Sequence, residues 1–109
     1  MANGLTEVPA AAVPDGAWLL DVREIDEWEA GHVPEATHIP LGQLGARTAE
    51  LPVDEEIYVI CRSGVRSARA AQALNGAGWQ AVNVGGGMQD WAAAGRAMTA
   101  DSGAEPFVA

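Results

Sequence analysis

Short apolar runs alternate along the chain with stretches of helical spacing, and Gly, Pro, Asn or Asp marks each change. That is the punctuation of βα units. Ala17–Val22 (AWLLDV) and Ile57–Cys61 (IYVIC) are almost continuously apolar, as strands covered on both faces of a parallel sheet should be, so they are expected to be the two central strands. Thr37–Ile39 and Ala81–Val84 are shorter strand candidates, and Thr6–Val8 is placed at an edge. The pattern predicts helices over Ile25–Ala30, Leu41–Leu51, Ser67–Asn75 and Met88–Ala94. The third has the clearest signals, with Ser67 available to cap its start and Asn75-Gly76 to stop it. From Arg96 to Ala109 no period is visible, which predicts a loosely held tail with Met98, Phe107 and Val108 available to dock.

At 109 residues the chain fits one domain, with a core over about residues 5–95 and a tail over 96–109. Alanine supplies 22 of its apolar residues, so the core must be compact. Fifteen acidic residues against six basic ones give a net charge of −9, which disfavours partners made of nucleic acid or anionic membrane. All six basic residues are arginine. Without lysine, a Walker phosphate loop, Schiff-base chemistry and pyridoxal enzymes are excluded. A lone cysteine, Cys61, excludes an intrachain disulfide, a CxxC pair and a cysteine-rich zinc site. Residues Met1–Val13 carry no positive charge and no apolar stretch of signal-peptide length, and no run approaches the roughly 18 residues of a membrane span, so the expected location is cytoplasmic.

The cysteine stands at the end of a predicted strand, just before a predicted helix, where ligands of open α/β sheets bind. Residues Cys61–Arg69 read CRSGVRSAR: half of the chain's cations lie within this segment, which has no acid, while the remainder of the chain is strongly acidic. Such a turn can cradle an anion, because its backbone N–H groups and the positive end of the following helix converge on one point. Gly64 lets the turn bend. A thiol in that field ionises readily, and a free cysteine pKa of about 8.5 can fall to about 3.5–7.5. The alternative, an inert cysteine closing an apolar strand, leaves the surrounding arginines without a purpose.

With DVRE at Asp21–Glu24, GHVPEA at Gly31–Ala36 and GGMQDW at Gly86–Trp91 beside CRSGVR, the chain resembles a single-domain rhodanese. The four blocks follow the family's order. The resemblance implies a three-layer α/β/α fold around a mainly parallel five-stranded sheet, and a sulfurtransferase carrying sulfane sulfur as a persulfide on Cys61. The expected partners are thiosulfate or a similar donor and a cyanide or thiol acceptor, with no metal or cofactor. Amides from Arg62 through Ser63, Gly64, Val65 and Arg66 to Ser67 would cradle donor and persulfide, both anionic. Arg66 is the best candidate for gripping the donor's oxygens, and Arg62 either does the same or sets the field at the rim.

Arg23 is a supporting residue, either at the mouth of the site or held by Glu24 and Glu27 as a structural ion pair. Asp21 is expected to hold a loop by hydrogen bonds, as the resemblance implies. Arg69 is read as an exposed helix-face residue, and His32 and His38 as structural hydrogen-bonding groups. Gly85–Gly87 read as a turn, since Asp90 stands where a dinucleotide fingerprint needs its third glycine. The four tryptophans read as packing.

A phosphatase on the same fold is the nearest rival, but such enzymes have a loop one residue longer, with arginine where this chain has Ser67. A non-catalytic interaction module or a protein-to-protein sulfur relay are further alternatives. Ser63 stands where thiosulfate enzymes often have a basic residue, and Glu35 where glycine is usual. Both leave the donor open.

Overall fold

The computed structural model describes residues 5–109. Five strands form one sheet: β1 (Thr6–Pro9), β2 (Trp18–Asp21), β3 (Thr37–His38), β4 (Ile57–Ile60) and β5 (Ala81–Gly85), in spatial order β1-β5-β4-β2-β3. Every pairing is parallel. The apolar runs explain the order. In β4 the side chains alternate, with Ile57, Val59 and Cys61 in one buried cluster and Tyr58 and Ile60 in the other, as a strand covered on both faces requires.

Four helices cover the sheet: α1 (Ile25–Ala30), α2 (Leu41–Leu44), α3 (Val65–Gly76) and α4 (Gly87–Ala93). Leu44 of α2 and Ala70, Ala71 and Leu74 of α3 pack on Leu20, Ile57 and Val59. On the opposite face Met88 and Trp91 of α4 pack on Leu19, Ile60 and Val84, with Ala10 from a short 3-10 turn. This is the expected α/β/α sandwich. All four helices follow strands, so their N-termini gather at the carboxyl edge of the sheet, where Cys61 lies.

Four expectations are corrected. β5 is as interior as β2, flanked by β1 and β4, because Ala81 is buried on one face of the sheet and Val84 on the other. The single helix expected over Leu41–Leu51 breaks after one turn into α2 and a 3-10 turn at Thr48–Glu50. Gly42 and Gly45 explain the break, since each costs about 1 kcal/mol relative to alanine inside a helix. Ser67 does not cap α3. The helix starts at Val65 after Gly64, whose φ of 102° belongs to the left-handed region, and Ser67 lies in the first turn with its side chain inward.

The tail is docked rather than loose. Arg96 donates to the carbonyls of Ala10 and Val13, pairs with Asp15 and stacks over Trp91. Thr99 and His32 exchange both backbone hydrogen bonds, and the Phe107 N–H donates to Ala30. Met98 and Val108 pack on the second cluster, whereas the Phe107 ring stays 61% exposed and only its backbone docks. These anchors are single residues and backbone bonds, which leave no periodic trace in a sequence.

Candidate functional site

Cys61 ends the apolar run of β4 and is 1% exposed. Its Sγ accepts hydrogen bonds from the Gly64 N–H at 3.1 Å, the Ser67 N–H at 3.3 Å and the Ser67 hydroxyl at 3.3 Å. The turn can close this tightly because Gly64 takes its left-handed conformation, and a Cβ there would crowd the Gly86 nitrogen. From the other side, the first turn of α4 fixes the loop. Met88 N–H donates to the Cys61 carbonyl at 2.8 Å and Gln89 N–H to the Arg62 carbonyl at 3.0 Å. Gly87 at φ 55° makes this approach possible, since a Cβ would overlap the backbone of Cys61 and Arg62. Two carbonyls are thereby turned away from the sulfur while the amides turn toward it.

Burial pushes the Cys61 thiol up, but the Ser67 hydroxyl and the N–H groups of Ser67, Gly64 and Ser63 outweigh it, so its pKa lies below the ordinary cysteine value. These are neutral donors. The backbone N–H groups expected around this point from the sequence are among them. Arg66 spends both terminal nitrogens on Glu27 of α1, at 2.8 and 2.9 Å, and that bond raises its pKa and lowers that of Glu27. Arg62 is exposed, with Nε donating to the Ala109 carbonyl. Arg69 is exposed on α3. Ser63 and Val65 stand exposed on the rim of the turn.

Arg23 and Asp21 are both fully buried and paired with each other, not with the side chains of Glu24 or Glu27. The Arg23 guanidinium contacts both Asp21 oxygens, and it donates further to the carbonyls of Glu27 and Gly31. Asp21 thus holds Arg23 rather than the cysteine loop, and Arg23 ties α1 to the end of β2. Through α1 it positions Glu27, and Glu27 positions Arg66. His38 meets the Arg23 carbonyl, His32 meets Val33 and Asp101, and both rings stack on Trp28. Among the described residues no group of three or more His, Cys, Asp or Glu could hold a metal ion, and no helix is long and apolar enough to cross a membrane.

The pattern did not single out Asn83 or Glu7. Asn83 is fully buried in β5, accepts from the Ser67 hydroxyl and donates to Gly64 and Glu7. A polar residue in the run AVNVG, the interruption of a strand expected to be apolar, was the available signal. A cleft of about 660 Å³ lined by Trp18, Thr37, Trp91 and Arg96 lies at the starts of β2 and β3 and does not include Cys61.

The geometry is that of a cysteine sulfur held by the N–H groups of a strand-to-helix turn. The chain belongs to the rhodanese-like domain family, which matches residues 7–94. A protein named sulfurtransferase from Allochromatium vinosum is 34% identical over 86 residues, covering 78% of this chain and 80% of that protein. YrkF of Bacillus subtilis is 50% identical over 74 residues, 67% of this chain, and the chain spans only 40% of that protein's length. The crystal structure of a rhodanese-related protein from Thermoplasma volcanium superposes with a TM-score of 0.81 at 32% identity, covering 86% of this chain and 97% of that one.

Proposed function

We propose that this rhodanese-like chain is a sulfurtransferase in which Cys61 takes sulfane sulfur from a small anionic donor such as thiosulfate and passes it to a thiophilic acceptor. The observation that carries the reading is the set of three hydrogen-bond donors on Sγ. They stabilise a thiolate, and the same turn can receive a sulfur anion one bond further out.

In the first step the Cys61 thiolate attacks the outer sulfur of thiosulfate. The donor's S–S bond breaks, sulfite leaves with the electron pair, and Cys61 becomes a persulfide. In the second step cyanide or a thiolate attacks the outer sulfur, and the bonding pair returns to Sγ. Cyanide leaves as thiocyanate. The exchange is ping-pong and redox-balanced without a cofactor.

The loop amides from Arg62 to Ser67 would hold the anionic sulfur in both steps. Arg66 is already engaged by Glu27 and only one-third exposed, so it serves the donor through its remaining field and not as a free fork. Exposed Arg62 is the better placed cation for the donor's sulfonate oxygens. Because Sγ is almost covered, a compact donor is favoured over a bulky one.

The test incubates the protein with thiosulfate and cyanide, measures thiocyanate, and weighs the protein beside a Cys61→Ser variant. Turnover and a gain of one sulfur atom, both lost in the variant, are expected. A sulfur adduct without thiocyanate would direct the second step to a protein acceptor. Neither adduct nor turnover would overturn the reading.

A further inference from the structure

Asn83 is a fully buried amide in a strand otherwise made of Ala, Val and Gly. Burying such a group costs stability unless its hydrogen bonds are made. Its Nδ2 donates to the Gly64 carbonyl at 3.2 Å and to the Glu7 carboxylate at 2.5 Å. Two acceptors on that side fix the nitrogen there and turn Oδ1 toward Ser67. The Ser67 oxygen lies 2.6 Å from Asn83 Oδ1 and 3.3 Å from Cys61 Sγ. A hydroxyl has one proton, so it donates to only one of these acceptors at a time.

We propose that Asn83 is a positioning residue for Cys61: its carboxamide oxygen keeps the Ser67 hydroxyl proton while Sγ is uncharged and releases it to Sγ when Sγ becomes an anion. The role in turnover rests on the sulfurtransferase reading. In the free thiolate the hydroxyl donates to Sγ. Once sulfur is taken up, the charge sits on the outer atom, Sγ is neutral, and the hydroxyl rotates back to Asn83. When an acceptor removes the outer sulfur, the electron pair returns to Sγ and the hydroxyl follows it. The Ser67 proton stays on its own oxygen throughout, and rotation alone supplies stabilisation where charge develops.

The charged groups around this pair come from several elements: Arg66 on α3 with Glu27 of α1, the Asp21–Arg23 pair after β2, Glu7 on β1, Arg62 in the loop, and Asp90 on α4 against Gly86. An Asn83→Leu substitution alters none of these charges, removes the competing acceptor, and takes the Nδ2 donor from Glu7 and the Gly64 carbonyl, which is why its shift is read against the Ser67→Ala background.

The experiment follows alkylation of Cys61 by iodoacetamide against pH, a readout that needs no sulfur transfer and so stands apart from the fate of that reading. In Asn83→Leu the Ser67 proton has only Sγ to serve, and the pH midpoint falls by roughly half to one unit. In Asn83→Asp, which keeps the acceptor and adds negative charge, the midpoint rises. The Leu shift vanishes in a Ser67→Ala background, because Asn83 acts through that hydroxyl.

A merely structural amide would lower the melting temperature and leave the midpoint where it was. An unmoved midpoint in Asn83→Leu, or a shift that persists undiminished without the Ser67 hydroxyl, overturns the proposal. Should Asn83→Leu fail to fold, the Asp variant decides alone: a midpoint at or below that of the parent protein overturns it.

Discussion

The chain turns from strand to helix after β2 and again after β4, and the two turns keep charge out of water by opposite means. After β2, the permanent cation of Arg23 is fully buried against a full counter-charge on Asp21. After β4, the Cys61 sulfur is held by two amides and a hydroxyl, all neutral. An ion that never loses its charge needs a counter-ion, since leaving it unpaired in the interior is costly. A sulfur that gains and surrenders charge is better served by dipoles, which cost little to leave facing a neutral atom.

The difference can be broken most forcefully at the ion pair. Asp21→Ala leaves Arg23 buried without its partner and is expected to cost about 3–5 kcal/mol in urea unfolding. A loss below about 1 kcal/mol would mean that the Glu27 and Gly31 carbonyls alone satisfy the guanidinium. Next is Gly87→Ala, whose Cβ would overlap the Cys61 and Arg62 backbone at a positive φ. It is expected to cost about 2 kcal/mol and to slow Cys61 alkylation as the loop is displaced.

Ser67→Ala removes one of the three donors on Sγ. Its alkylation midpoint should rise by roughly half to one unit. In the parent protein the midpoint should lie below that of a free cysteine, because the hydrogen-bond donors on Sγ favour the thiolate. The smallest effect is expected from Glu27→Gln. The pair with Arg66 is partly exposed, so stability at neutral pH should fall by less than about 1 kcal/mol. Since folding lowers the Glu27 pKa, its contribution is complete above 4.5 and disappears as pH falls through the folded value; the variant should lose that acid-side dependence. The same change frees Arg66, and the KM for thiosulfate should fall if its guanidinium reaches the donor.

The turn around Cys61 was legible in the sequence where chemistry and spacing coincide. Cys61 before a glycine turn and a helix needs only local geometry to be read, whereas DVRE was read as one block of a family resemblance. The charge assignments were less legible because a count of arginines does not show where their guanidinium groups point. Arg66 finds Glu27, 39 positions earlier, and Arg23 finds Asp21 rather than the nearer-looking glutamates. Asn83 escaped notice for a related reason: its partners, Ser67 and Glu7, come from α3 and β1 and meet only when the sheet forms. The docked tail was hidden because its holds are backbone bonds to Ala30 and His32, which any residue type can make.

The grip of α4 on the carbonyls of Cys61 and Arg62 has a consequence for how this protein can change. Since backbone groups and a helix on the far side shape the nest for sulfur, the outward side chains of Ser63 and Val65 carry little of that burden. On the proposed sulfurtransferase reading, those two positions are free to change with the donor while Sγ stays where it is, so selectivity and reactivity would rest on separate residues.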